Sequence, residues 1–428
     1  MNDLLYAGGG ATGPDDLSCA ILYGRTLGGS SVHYMANSFR APEFKLERWR
    51  REFGLDWAAA DAMARYYEIA ERDHNVHDAT EFETNENNRM FRRGVEALGW
   101  KGHPSRHARK NCVNAGTCLL GCPFDSKQSQ LLTNIPKIDR LGGRIYTDCR
   151  AEHVLLDRGR AAGISAAFAD SKTGEKKGIL TVHSRITVIA AGGVGTPAFF
   201  LRNGLANSSG LVGQNFQVTP HFFAMGIFGH KIYGYRGMPC SYVVHQFEEV
   251  RGDEGGYMIQ GIFAQPAMTA YMLPGFGDEH RDLMELYTRG AALLSLLDDE
   301  EPGRVSVRKD GRVRLEYRLR GRDIPKARDF FKKTSMILLS AGAERVMIPA
   351  AKPIFIKERD DYKKIDRLSF EPNRIPFVGT SNLGTCRMGR DPKRSVTDPY
   401  GQTHDVRGLF ICDASLFPTS IAVDPSLT

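Results

Sequence analysis

Cysteine is scarce in this chain. There are eight in 428 residues, too few for a disulfide framework, so their spacing matters more than their number. No stretch approaches the ~20 apolar residues of a membrane helix; the run from Thr187 to Leu201 is broken by Gly192, Gly193, Gly195 and Pro197. Met1-Asn-Asp lacks the basic lead and apolar core of a secretory leader. Nor does one sign of charge dominate. The balance of 57 Lys and Arg against 50 Asp and Glu gives +7. The two signs are interspersed, as in Arg318-Leu-Arg-Gly-Arg-Asp323 and Lys363-Lys-Ile-Asp-Arg367. This is a mildly basic solvated surface and no nucleic-acid footprint. A hydrophobic content of 42% excludes a disordered chain. A cytoplasmic globular protein is expected, or a periplasmic one if an N-terminal segment is missing.

Glycine is the residue in excess, at 45 positions. It gathers at Gly8 to Gly13, Gly24 to Gly29 and Gly192 to Gly195. Glycines where apolar strands end mark close approach of backbone to something else. Residues 47–52, 61–71 and 85–99 carry helical periodicity, residues 111–123 read as loop, and 131–141 return to helix. Strand-like runs follow at 143–147, 151–156 and 186–191. The last is apolar on both faces and predicts a buried parallel strand with a ligand crevice at its carboxyl end. From about 219 the texture changes to alternating aromatic stretches. Residues 304–317 read as a hairpin turning at Asp310-Gly311.

Several motifs then occur in a fixed order: Gly24-Arg-Thr-Leu-Gly-Gly-Ser-Ser31, Leu46-Glu-Arg-Trp49, Asn85-Glu-Asn-Asn88, Cys118-Leu-Leu-Gly-Cys-Pro123, Ala190-Ala-Gly-Gly193, Val212-Gly-Gln-Asn215, Gly384-Thr-Cys-Arg-Met-Gly389, Asp413-Ala-Ser415 and Asp424-Pro425. In this order they resemble the glucose–methanol–choline (GMC) family of FAD-dependent oxidoreductases over nearly the whole chain. The resemblance implies an α/β fold: a discontinuous, Rossmann-like FAD-binding domain with an inserted antiparallel-sheet α+β substrate domain. The expected divisions are 1–40, 125–217 and 365–428 for the FAD domain, 41–124 for a helical and cysteine-loop segment, and 218–364 for the substrate domain.

The resemblance also implies site residues. Gly24, Arg25, Gly28, Gly29, Ser30 and Ser31 would lie beside the flavin, with Pro425 also at the cofactor. Val154 would lie near the adenine, Ala190, Ala191 and Gly192 along the nucleotide, and Asp413 and Ala414 at the diphosphate or isoalloxazine. The cofactor would perform the redox chemistry, and the protein would supply close backbone approach and fixed dipoles.

Three departures from the family pattern stand out. The family opens with a βαβ unit carrying a glycine-rich diphosphate turn, and the chain is expected to be N-terminally truncated with respect to it. Gly8-Gly-Gly-Ala-Thr-Gly13 matches G-x-G-x-x-G as a string, but Pro14 follows at once and leaves no room for such a unit. It is read as a decoy. The family's catalytic histidine falls on Ser381, with Asn382 beside it, and its partner near the C-terminus falls on Asp424. A serine is a poor proton acceptor at neutral pH. Asp424 could accept a proton, although a carboxylate close to reduced flavin would be repelled.

The third departure lies in the cysteines. Cys112, Cys118 and Cys122 resemble the spacing in bacterial sugar dehydrogenases of this family that carry an iron–sulfur cluster. The alternatives are a reduced cysteine loop, or zinc with His103 or His107 as the further ligand. His221 is a candidate pocket residue, while His245 reads as a core histidine. The expected activity is oxidation of the CH–OH group of an alcohol or sugar by hydride transfer to flavin, with an electron-acceptor protein or oxygen downstream. Two other readings stay open: an inactive or split-gene fragment needing a separate N-terminal piece, and an iron–sulfur electron-transfer module.

Overall fold

The computed structural model describes residues 6–10, 12–251 and 254–428. Its largest element is a seven-stranded antiparallel sheet. The strands run, edge to edge, Ile354–Ile356, Arg345–Ile348, Phe223–Ile227, Gly290–Leu297, Tyr257–Ile262, Tyr242–Val244 and His103–Pro104. The aromatic stretches of the sequence thus pair as expected, and a strand from residues 103–104 completes one edge.

Two helices back this sheet, Glu86–Ala97 and Asp323–Ser340. The first starts because the Asn85 side chain accepts from the Asn88 backbone at 3.0 Å, a helix N-cap. Its apolar stripe, Met90, Phe91 and Val95, is buried against the core that holds Phe330, Phe331 and Ile337. Gly94 sets how closely the helices approach: a Cβ there would stand 2.0 Å from the Ile337 carbonyl oxygen. The polar residues of the same motif are not surface decoration. Asn87 exchanges both amide groups with the Ala292 backbone, at 2.6 and 3.2 Å. Asn88 Oδ1 accepts from Ser241 and Tyr242 amides at 3.2 and 3.0 Å. The Asn85–Asn88 motif therefore rivets a helix to two strands of the sheet.

The second part of the fold is built from smaller pieces. Thr187–Ile189 pairs in parallel with Leu409–Ile411, and Ala20–Ile21 in parallel with Val378–Gly379. A three-stranded antiparallel sheet, Cys149–Asp157, Arg160–Ala169 and Lys176–His183, flanks the first pair. The hairpin expected around Asp310 is present, with Arg304–Val307 paired to Val313–Glu316 and Gly311 at φ 80°.

Some expectations need correction. Residues 143–147 form no strand, because no ladder partner lies beside them among the described residues. The helix expected at 131–141 contracts to Asn134–Arg140. The run 186–191 does pair in parallel, but one face is open: Ile186 is 59% exposed and Val188 51%. Residues 7–10 of the glycine string form a single 3₁₀ turn and Ala11 lies outside the described residues, so no phosphate-binding helix opens there. No helix among the described residues is long and apolar enough to cross a membrane.

Candidate active site

Two openings flank the segment Ser381–Thr385. The first is an open crevice of about 920 Å³ at the carboxyl end of Thr187–Ile189. Ala190, Ala191 and Gly195 form its floor, and Arg150, Lys176 and Arg202 stand on its walls. Lys176 is engaged by Glu152 at 2.9 Å, and Arg202 donates from Nε and Nη2 to the Gly311 carbonyl at 2.9 and 2.8 Å. The chain turns there at Gly192, whose φ of 79° belongs to the left-handed region, and enters the helix Gly192–Asn203. Asp413 fastens this turn. Its Oδ2 accepts from the Gly192 amide at 2.9 Å and from Thr196 Oγ1 at 2.5 Å, and its Oδ1 accepts from the Ser415 amide at 2.8 Å.

The second opening is a cavity of about 260 Å³ between the antiparallel sheet and the Gly28-Gly29 turn. Gly28 and Gly29 adopt φ of 89° and 60°, and the chain winds into the short helix Gly29–Val32. Ser30 Oγ accepts from the Gly24 amide at 2.8 Å, and Ser31 Oγ donates to the Gly28 carbonyl at 2.6 Å. This turn presents Ser30, Ser31 and His33 to the cavity, and the sheet presents Gln260 and Leu294. Asn37, His221, Ser381, Asp424 and Pro425 also line it.

The polar groups of this cavity are incompletely matched. Asn37 Nδ2 donates to Gln260 Oε1 at 2.7 Å and to Asp424 Oδ2 at 2.9 Å. Yet His33 Nε2, Asn37 Oδ1 and Gln260 Nε2 are buried with no hydrogen-bond partner. Three orphaned polar atoms at one cavity would cost several kcal/mol if nothing else met them, at ~1–3 kcal/mol each. Burial tunes the titratable groups in opposite directions. It lowers His33 and His221 to about 4, so both imidazoles are neutral at pH 7. It raises the carboxyl of Asp424.

The predicted residues thus divide between the openings. Ser30, Ser31, Ser381, Asp424 and Pro425 come together at the cavity, and Ala190 and Ala191 at the crevice. Asn382 lines neither opening. Its backbone packs against Gly193, where a Cβ would lie 2.0 Å from the Asn382 carbonyl, and its Nδ2 donates to Leu22 O at 3.1 Å. Ala414 accepts from the Gly384 amide at 3.1 Å and so holds the same segment. Arg25 is exposed beside the glycine turn. The Val154 side chain is in the apolar core, and its neighbour His153 faces the crevice instead. His33, Asn37 and Gln260 were not read from the sequence. Gln260 carried a signal, since it is the one polar side chain in the apolar strand Tyr257–Ile262 that is not an aromatic hydroxyl.

Among the described residues no three His, Cys, Asp or Glu side chains are grouped to hold a metal ion. Cys112, Cys118 and Cys122 are free thiols, and burial pushes Cys118 up to about 11. The histidines proposed for zinc are engaged elsewhere. His107 Nε2 bonds the Cys240 carbonyl, and His103 stacks on His245 at 4.7 Å. The cysteine loop is fastened by Lys127 instead, which donates to the Cys118 and Tyr34 carbonyls at 2.6 and 2.9 Å.

A parallel strand pair ending in glycine turns, joined to an antiparallel sheet that walls a polar cavity, defines a two-part α/β fold of the kind that places a large ligand across a small one. The chain belongs to the GMC oxidoreductase family: the family's N-terminal model matches residues 2–221 and its C-terminal model residues 299–428. It is 29% identical over 428 residues to an uncharacterized GMC-type oxidoreductase of Mycobacterium tuberculosis, covering 99% of this chain and 66% of that protein. It is 28% identical to the long-chain-alcohol oxidase FAO4A of Arabidopsis thaliana, covering 100% of this chain and 60% of the relative. The chain therefore spans roughly two thirds or less of these relatives' length. Among solved structures, pyridoxine 4-oxidase from Mesorbium loti superposes with a TM-score of 0.72 at 15% identity, over 97% of this chain and 84% of that one. A formate oxidase superposes at 0.69 with 14% identity, over 95% and 82%.

Proposed function

We propose that the chain is an FAD-dependent oxidoreductase acting on the CH–OH group of an alcohol or sugar, with electrons leaving to an acceptor protein or to oxygen. The observation that carries this reading is the convergence of His33, Asn37, Gln260 and Asp424 on one cavity. A hydroxyl both donates and accepts, so one hydroxyl can satisfy an amide N–H and an acceptor together.

The residues present fit FAD. Ala190, Ala191 and Gly192 allow backbone approach along the crevice, Arg150 and Arg202 suit its diphosphate, and Gly28, Gly29 and Ser30 border the neighbouring cavity. Bound flavin would supply the hydride acceptor. The protein's own part is to orient the hydroxyl and take its proton. Asp424 suits that role better than the two histidines. Its proton affinity is raised by burial, while theirs is lowered to about 4, and a base works best when its affinity approaches the operating pH. Asn37 fixes the carboxylate through Oδ2. Ser381 lines the same cavity and Asn382 follows it in the chain as a positioning residue, and neither side chain ionises near pH 7. Anaerobic addition of alcohol to the FAD-loaded chain should bleach the flavin absorption; FAD that binds but is reduced by no alcohol or sugar would reject the proposal.

A second reading has its own support. Val188 lines the crevice and is 51% exposed, and Ile186, two residues before it, is 59% exposed, so the strand leaves apolar surface beside the crevice. In this reading a separate α/β piece must cover that surface before FAD is retained. Retention by this chain alone, measured by gel filtration, decides between the two.

A further inference from the structure

The antiparallel sheet carries a second cavity, of about 80 Å³, whose exposed lining is almost wholly apolar. Its position follows from strand register. Gln260 pairs with Leu294, and Leu294 with Phe223, so these three form one cross-strand row. Gln260 and Leu294 line the polar cavity, whereas Phe223 lines the apolar one. The next row on the same face is Ile262, Ala292, Met225 and Met347. All four line the apolar cavity. Same-face rows are two residues apart, about 6.6 Å. The cavities therefore abut along one sheet face, polar at the Gln260 end and apolar beyond Phe223.

The short helix Pro266–Met272 covers the apolar end with Thr269, Met272 and Leu273. Just past it, Phe276 is 94% exposed. Thr269 is the one lining side chain with a hydroxyl, and it donates to the Ala264 carbonyl at 3.3 Å, so most of the successive hydroxyls of a sugar would be buried here unpaired, at ~1–3 kcal/mol apiece. Phe223, Met225 and Met347 are adaptable apolar surface, methionine in particular filling irregular shapes.

From this arrangement we infer that the substrate is an alcohol with an unbranched aliphatic chain, its hydroxyl among Asn37, Gln260 and Asp424 and its chain laid across Phe223 into the apolar cavity. The inference rests on the oxidoreductase reading above and narrows it by excluding sugars.

The test uses the full chain supplied with FAD and a series of primary alcohols from butanol to decanol. Each methylene that enters the cavity should raise kcat/KM about fourfold. Ala292→Leu fills the cavity, and Met272→Glu, on the covering helix, places a charge against the chain. Each should lower the ratio of decanol to butanol kcat/KM at least tenfold. A ratio near one in the unmodified protein, or one that neither variant moves, overturns the inference. Calorimetric binding of octanamide, which cannot be oxidised, reads the same cavity without turnover. If no alcohol is oxidised but octanamide binds and Met272→Glu weakens it tenfold, the aliphatic site stands and the oxidoreductase reading falls. If no alcohol is oxidised and octanamide does not bind, the aliphatic site falls as well.

Discussion

Asn37 donates its side-chain amide to Asp424 at 2.9 Å across 387 residues of sequence. The same nitrogen holds Gln260 at 2.7 Å, so one buried amide ties the start of the chain, the sheet and the C-terminal segment together. Asp424→Asn keeps the shape and removes the proton acceptor. Flavin reduction by alcohol should slow by ~10²–10⁴, the usual worth of a general base, with FAD binding retained. Stopped-flow absorbance reads this directly. A rate within threefold of the unmodified protein would remove Asp424 from the proton-transfer role.

Asp413 makes a different kind of prediction. It accepts three hydrogen bonds, two at the start of helix Gly192–Asn203 and one at Ser415. Asp413→Ala orphans the Gly192 amide at the turn where the dinucleotide would lie. Bonds to a charged acceptor contribute roughly 1.5–3 kcal/mol. Stability in urea should fall by about that amount, and FAD affinity should drop with it, because the turn loses its shape. Unchanged affinity in a folded variant would place the cofactor elsewhere.

Gly193 is the third position with a sharp expectation. Its φ is ordinary, so the cost of a side chain is purely steric: a Cβ would lie 2.0 Å from the Asn382 carbonyl oxygen. Gly193→Ala must push Asn382, and with it Ser381, toward the polar cavity. Overpacking of this kind costs about 1–3 kcal/mol. Thermal unfolding should show the loss, whereas Gly192→Ala meets nothing within 4 Å and is strained only by its φ of 79°.

How much of this was legible beforehand depends on which physical rule was in play. Local rules were readable: the Asp310-Gly311 hairpin, the helix begun near Asn85 and the parallel strand ahead of Gly192 all follow from periodicity and turn chemistry. The resemblance placed Ser381 and Asp424 at what is one cavity in the fold. What could not be read is long-range burial. His33 and Asn37 look like ordinary polar residues until the sheet folds over them, and nothing local marks Gln260 Nε2 as unpartnered. The exposed face of Val188 was missed for the same reason, since an apolar run does not say what covers it. The cysteine trio left a metal site and a plain reduced loop both open, because spacing alone says nothing of the Lys127 fastening or of thiol burial.

Stability against pH offers the last prediction, because buried groups here pull in opposite directions. Asp299 is buried beside Asp298 and Asp323, and its carboxyl is pushed up to about 7, mainly by burial. Its ordinary value is ~3.9. The folded state therefore binds this proton more tightly than the unfolded one. The associated stability is complete below about pH 4 and is lost as pH rises through about 7. His33 and His221 behave oppositely. Lowered from ~6.5 to about 4, they favour the fold above pH 6.5, and that stability is lost as pH falls through 4. Between about pH 4 and 6.5 the histidines make stability climb with pH while Asp299 opposes the climb. Asp299→Asn removes one proton that only the folded state binds. The slope of unfolding free energy against pH in that window should then steepen by about 1.4 kcal/mol per pH unit. Urea titrations at pH 4.5, 5.5 and 6.5 measure it, and a slope unchanged by the substitution would mean that Asp299 is already ionised in the folded protein.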